Sequence, residues 1–184
     1  MRILILFAAL LLFRGAVSTL SAQTTGLEIG NKPPEIKLPT TRGDTVALSS
    51  LKGKLVLIDF WATWCSPCVE EQSDLAKLYR KYKQTAFING NSFEIYGVSL
   101  DAKKPNWENF IVTNKINWIQ VSDLKFWRSP VAKTYNIQGL PFNMLIDGKG
   151  IILAKNIHGN DLEKEINRFY GSVNMTSALY ENLI

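Results

Sequence analysis

The chain has 184 residues, with 21 Lys and Arg against 16 Asp and Glu, and a net charge of +5. That excess is too mild to mark a nucleic-acid surface, and Lys77, Lys81 and Lys83 alternate with apolar positions as on a solvated helix face. Two cysteines and a single histidine are too few for a four-ligand structural zinc centre, and the length suits one domain with a full core.

The N-terminus opens with Arg2, an apolar run from Ile3 to Phe13, Arg14, and small or polar residues through Ser21, Ala22 and Gln23. The run is short for a bilayer span and has the layout of a secretory signal, expected over residues 1–22. Its removal takes away Arg2 and Arg14 and leaves 19 basic against 16 acidic residues, a net charge of +3. One domain is expected over residues 23–171 and a C-terminal tail over 172–184. The protein is thus expected in the periplasm or cell envelope, with membrane contact only if the leader is retained.

Gly30-Asn31-Lys32-Pro33-Pro34 reads as an extended lead-in, followed by two short strands near Glu35–Leu38 and Asp44–Leu48 around a turn at Arg42-Gly43. The run Lys54–Phe60 is the first central strand. A helix opening at Pro67 carries Leu75, Leu78, Tyr79 and Tyr82 on one buried face. A strand at Phe93–Leu100, a helix at Asn106–Lys115, a short strand at Trp118–Val121 and a helical stretch from Ser129 to Tyr135 come next. Strands Phe142–Ile146 and Ile151–Lys155 flank the hairpin signal Asp147-Gly148-Lys149-Gly150. A last helix is expected over Asp161–Tyr170, capped by Asn160 and ended by Gly171. This order predicts an α/β fold: a mixed sheet flanked by helices, with an N-terminal β-hairpin extension.

Both cysteines lie in Trp64-Cys65-Ser66-Pro67-Cys68, between the apolar strand and the helix. A cross-link across so short a loop removes little denatured-state entropy, so its value lies in opening and closing. A helix N-terminus favours a thiolate, which makes Cys65 the expected nucleophile. Cys68, one turn inward, is placed to attack a mixed disulfide on Cys65. Pro67 fits a first helical turn, where no amide donor is needed.

Asp59 interrupts the apolar strand, and burial is expected to raise its pKa toward a range useful for taking a proton from Cys68, unless a hidden lysine neutralises it. Glu71, one turn after Cys68, has Asp74 and Leu75 as its i+3 and i+4 neighbours and thus no local basic partner. Trp61, Trp64 and Phe142 are candidates for a shallow apolar groove, with core packing the competing role for Trp61. Trp107, Trp118 and Trp127 are expected to be packing residues, and His158, with no identifiable partner, a surface residue.

On these residues the chain resembles the thioredoxin-fold proteins over Gly30–Tyr170, most specifically in Asp59–Cys68 and Gly139-Leu140-Pro141. It is most similar to the exported TlpA-like and ResA-like thiol:disulfide oxidoreductases, to which Gly30–Pro34, Gly97–Asp101 and Leu145–Gly150 also conform. The resemblance implies a cis Pro141 lying against the cysteines and keeping other ligands from them. It also implies a Leu140 backbone that pairs with a bound substrate segment, and an acid at Glu71 that tunes the cysteine pair. Trp64, Ser66, Pro67, Leu140 and Pro141 are accordingly the expected substrate-binding residues, and Asp59, Glu71, Cys65 and Cys68 the catalytic ones. The implied activity is disulfide exchange with partner proteins, as a reductant supplied by an upstream envelope donor, with no cofactor beyond the Cys65–Cys68 pair. A peroxidase of the same fold is one alternative, although Ile58 and Ala62 stand where peroxiredoxins place a proline and a hydroxyl residue. A copper-delivery module holding the metal between the two thiols is the other.

Overall fold

A computed structural model describes residues 24–181, with side chains through Tyr170. The leader expected over residues 1–22 lies outside the described residues. Strands β1 (Lys37–Pro39) and β2 (Thr45–Ala47) form a small antiparallel sheet, continued by a 3₁₀ turn at Leu48–Leu51. The main sheet contains β3 (Leu55–Trp61), β4 (Phe93–Ser99), β5 (Ile119–Val121), β6 (Phe142–Ile146) and β7 (Ile152–Lys155) in the order β5-β4-β3-β6-β7. β4 runs parallel to both β3 and β5, while β6 is antiparallel to β3 and β7. The helices are α1 (Ser66–Tyr82), α2 (Lys104–Thr113), α3 (Pro130–Thr134) and α4 (Gly159–Glu181).

All seven residues of β3 are buried, as are all seven of β4. A strand covered on both faces needs apolar residues at successive positions, which Leu55-Val56-Leu57-Ile58 supplies. Leu55, Leu57 and Trp61 pack on one face with Leu75, Leu78 and Tyr82 of α1, Trp107 of α2 and Leu162 and Ile166 of α4. Val56, Ile58 and Phe60 pack on the other with Leu38, Leu48, Leu51, Ala132 and Tyr135. Asp59, between Leu57 and Trp61 in the alternation, belongs to the face that α1 and α4 cover.

The β6–β7 turn forms as the sequence predicts. Asp147 Oδ1 accepts the N–H groups of Lys149 and Ile151, both at 2.9 Å, and Gly150 takes φ +83°, a conformation open to a residue without Cβ. The last helix departs from expectation at both ends. It begins at Gly159, with the His158 carbonyl accepting the N–H groups of Asp161 (3.1 Å) and Leu162 (3.4 Å), and it runs through Gly171 to Glu181. An interior glycine costs a helix only about 1 kcal/mol, and Met175, Ala178 and Leu179 beyond it are good helix formers.

The two-sided burial of β3 sets the expected cost of trimming it. Leu57→Ala should lower stability in urea unfolding by about 2–5 kcal/mol with the cysteines oxidised. A loss below about 1 kcal/mol would show that Leu57 is not enclosed as described.

Candidate active site

β3 ends at Trp61, and the next few residues are tied to the end of β4 before α1 begins. Trp61 Nε1 donates to Gln120 Oε1 at 2.9 Å, so this buried indole is a core residue rather than part of a groove. Asp101 accepts from Thr63 N–H at 3.1 Å and Thr63 Oγ1 at 2.6 Å, and its own position is fixed by Ser99 Oγ at 2.7 Å. Trp64 Nε1 reaches the Leu100 carbonyl at 3.4 Å.

Those bonds deliver Cys65 to the N-cap of α1 in an extended conformation, φ −92° and ψ 100°. Its Sγ accepts the Cys68 N–H at 3.3 Å, the contact that a capping side chain makes with an otherwise unpaired helix amide. Cys65 and Cys68 are joined as a disulfide with Cα atoms 5.2 Å apart, and both are buried. Ser66 and Pro67 are exposed between them, with Ser66 Oγ donating to Glu70 Oε1 at 3.2 Å.

The Leu140–Pro141 peptide is cis. It immediately precedes Phe142, which pairs with Phe60 near the end of β3, so the turn stands beside the strand that leads to the cysteines. Leu140 packs against the core cluster that contains both sulfurs. Phe142 is only half-buried and its ring lies against that of Phe60 at 6.1 Å, part of the opposite core rather than of a groove.

Asp59 is 2% exposed, and its Oδ2 has no hydrogen-bond partner among the described residues. Burial pushes its pKa from an ordinary 3.8 up to about 7, the nearby Glu71 charge pushes the same way, and a hydrogen bond from Gln72 opposes them. A carboxylic acid is thereby held close to half-ionised near neutrality. The groups acting on it are an acid and an amide, not a hidden lysine.

Glu71 does have a basic partner, supplied from outside its helix. His158 Nδ1 stands 2.9 Å from Glu71 Oε1 and 3.1 Å from Oε2, which corrects both the unpartnered reading of Glu71 and the surface reading of His158. The two residues lie 87 positions apart, far beyond the i+3 and i+4 spacing of one helix face. Trp127 is a second correction. It is 39% exposed rather than packed inside, as is Phe126, and both rings contact that of Trp64, at 6.0 and 5.0 Å. Trp64 is itself 46% exposed, so three aromatic rings meet in solvent beside Cys65. Trp107 and Trp118 are buried, as expected.

The loop that presents Phe126 and Trp127 is built for it. Leu124 and Phe126 adopt φ of 56° and 54°, a left-handed conformation unfavourable for such side chains. Ser122 Oγ accepts the Leu124 N–H at 3.0 Å, while the Asp123 carboxylate accepts from Lys125 N–H at 3.1 Å and Ser129 Oγ at 2.8 Å. The only sequence signal for this surface was the pair Phe126-Trp127 set between Lys125 and Arg128, a break in the apolar periodicity that a core residue would follow.

A family model described as the AhpC/TSA family matches residues 29–155. The chain belongs to the AhpC/TSA family. Within this thioredoxin-like family it is 32% identical over 151 residues to the thiol-disulfide oxidoreductase ResA of Bacillus thuringiensis subsp. konkukian (strain 97-27), covering 78% of this chain and 77% of that protein. It is 29% identical over 147 residues to the thioredoxin-like protein YneN of Bacillus subtilis (strain 168), covering 80% and 81%. Among solved structures, the thioredoxin domain of a thiol-disulfide oxidoreductase from Bacteroides vulgatus superposes with a TM-score of 0.70 at 36% identity, covering 79% of this chain and 99% of that one. A thiol-disulfide oxidoreductase from Bacteroides fragilis NCTC 9343 gives a TM-score of 0.68 at 34% identity, with 75% and 98% covered. The fold and the disulfide-forming Cys-x-x-Cys pair of this AhpC/TSA member are those of a thioredoxin-like thiol-disulfide oxidoreductase.

The buried acid leaves a signature in stability. From about pH 4 to about pH 7 the folded protein holds a proton on Asp59 that the unfolded chain has already released. Stability from this group is therefore complete below pH 4, falls as pH rises toward 7, and levels off above. Asp59→Asn should be more stable than the parent at pH 8 by a few kcal/mol, with the difference shrinking toward pH 4, as read by denaturant unfolding at each pH. A difference that is flat with pH would remove the buried-acid assignment.

Proposed function

We propose that the protein exchanges its Cys65–Cys68 dithiol and disulfide with cysteines of partner proteins in the cell envelope, and that it acts there as a reductant. The observation that carries the exchange reading is the placement of Cys65 as the N-cap of α1, with its sulfur against the Cys68 amide and the partner sulfur one turn inward. In the reduced protein the unpaired amides and the positive end of the helix stabilise a Cys65 thiolate. That thiolate attacks a substrate disulfide and forms a mixed disulfide. Cys68 then attacks Cys65 Sγ, closing the observed cross-link and releasing the substrate thiol.

Asp59 serves in this reading as the proton acceptor for Cys68, with Glu71 adjusting it. A group titrating near neutrality is best matched to both taking up and returning a proton at that pH. The backbone at Leu140 is the proposed pairing edge for an extended substrate segment, and Trp64, Ser66, Pro67 and Pro141 form its immediate surroundings. Phe126 and Trp127 extend that surface, since exposed aromatic rings clustered beside a reaction centre are the side chains from which interface anchors are drawn. Export is supported by the leader-like residues 1–22, and the reductant direction by the ResA-like resemblance. A reduction potential well below those of strongly oxidising Cys-x-x-Cys proteins, on a scale spanning roughly 150 mV, is the measurement that tests direction. The peroxidase alternative loses support from Ile58 and Ala62. Both are wholly buried and apolar, so neither supplies a hydroxyl to a reactive sulfur.

Two outcomes test this reading. Cys68→Ser should accumulate mixed disulfides with protein substrates through Cys65, while Cys65→Ser should not; equal trapping by both would reverse the assignment of roles. Trp127→Ala should raise KM for a disulfide-containing polypeptide roughly fivefold, the effect of about 1 kcal/mol, and leave reduction of a small aromatic disulfide within twofold of the parent. An unchanged KM for the polypeptide would limit the aromatic surface to a structural role.

A further inference from the structure

The Glu71–His158 contact joins two elements far apart in sequence, and the backbone around His158 is fixed on both sides. Before it, Asn143 grips Ile157 twice, its Oδ1 accepting the Ile157 N–H at 3.0 Å and its Nδ2 donating to the Ile157 carbonyl at 2.6 Å. After it, the His158 carbonyl accepts the Asp161 and Leu162 N–H groups in the first turn of α4. Asn143 is also the cross-strand partner of Asp59. One β6 residue therefore stands beside the buried acid and sets the position of the histidine.

The ring of His158 meets the Glu71 carboxylate at 2.9 Å and the Asn143 side-chain amide nitrogen at 3.4 Å, both at Nδ1, and Asn156 Oδ1 at 3.2 Å from Nε2. Where the Glu71 carboxylate is ionised it can only accept, and the bond is then made by an Nδ1–H. Exposure falls along the series, from 34% for the His158 side chain to 13% for Glu71 and 2% for Asp59. On α1, Asp74 and Lys77 share a cleft with Gly159 and Asn160 and pair with each other at 2.8 Å, as Lys81 pairs with Glu163 of α4 at 2.7 Å. β6 contributes the uncharged Asn143, and on α4 Asp161 is held in solvent by Lys164 at 2.9 Å.

We propose that His158 is a positioning residue for disulfide exchange: it holds Glu71 in place and, by gaining or losing its own proton, offsets or releases the negative charge that Glu71 directs at Asp59. An imidazolium beside Glu71 cancels part of that charge, so Asp59 gives up its proton at lower pH and is ready to act as a base. A neutral ring leaves the Glu71 charge uncompensated, and Asp59 keeps its proton to higher pH. Solvent pH thus reaches a buried acid through two side chains.

This inference rests on the exchange reading and concerns its resolving step. In that step the Cys68 S–H proton passes to the Asp59 carboxylate, and the Cys68 thiolate attacks Cys65 Sγ. The Cys65–Cys68 bond forms as the bond from Cys65 to the substrate sulfur breaks. The electron pair leaves with the substrate thiolate, which takes a proton from solvent, so two electrons have moved from the dithiol to the substrate.

The experiment is stopped-flow measurement of the resolving step, from about pH 5.5 to 8.5, on the full chain carrying a preformed mixed disulfide at Cys65. His158→Gln should move the rising limb of the rate to higher pH by roughly half to one unit, and the permanently charged His158→Arg should move it to lower pH. Glu71→Gln should also move the limb to lower pH, and in that background His158→Gln should add no further shift. Superimposable parent and His158→Gln profiles would overturn the proposal. So would a rate lowered equally at every pH, which is the mark of a plain clamp between α1 and α4, or an undiminished His158→Gln shift when Glu71 is absent. A limb that persists unchanged in Asp59→Asn would overturn the coupling and leave disulfide exchange standing, whereas a parent that never resolves the mixed disulfide would defeat the exchange reading itself.

Discussion

The burial of β3 on both faces is the constraint from which the position of the chemistry follows. Parallel pairing with β4 and antiparallel pairing with β6 occupy its two edges, and the two core clusters occupy its faces, so Leu55–Trp61 has no freedom to shift register. Where this strand ends, the indole of Trp61 and the Thr63–Asp101 bonds fix the exit of the chain. The first turn of α1 can then begin only at Cys65 and Ser66. The reactive pair is placed by a strand buried on both faces and paired on both edges, which holds the two sulfurs in one geometry.

Against that background Asp59 is a local inconsistency. Six of the seven residues in β3 are apolar, and the seventh is a carboxylic acid with one oxygen unpartnered among the described residues. A leucine there would fill the same face without desolvating a polar group. Departures from local consistency concentrate at functional sites, and the direction of this one is informative, because burial raises the acid to about 7 and thus makes it competent for proton transfer near neutrality. The stability given up at alkaline pH and the proton chemistry proposed for Cys68 are two consequences of the same desolvation.

Much of this was legible in the chain. The apolar run Leu55–Ile58 marked β3, the Asp147–Gly150 signal marked the hairpin, and Pro67 after Cys65 marked a helix N-terminus. What those signals share is locality: each is decided by residues within one element. Glu71 and His158 meet only because α1 and the start of α4 cover one face of the sheet, and Phe126 and Trp127 reach Trp64 only because the loop after β5 passes the end of β3. Neither juxtaposition has a periodicity to betray it. The extension of α4 through Gly171 is a different failure, since a C-cap signal was read where continuing helix propensity outweighed one glycine.

The site therefore has two regions with different physical demands, meeting at the sulfurs. The aromatic rim of Trp64, Phe126 and Trp127 lies in water, where apolar side chains gain most from being covered by a partner. The acids lie below, where exclusion of water allows one charge to act on another across the sheet face. A partner that covers the rim also thickens the low-dielectric layer over Cys65. On the proposed reading, substrate docking and proton handling are then coupled through desolvation, with no movement of the backbone required: the bound partner strengthens the same Glu71 and Asp59 interaction that His158 moderates.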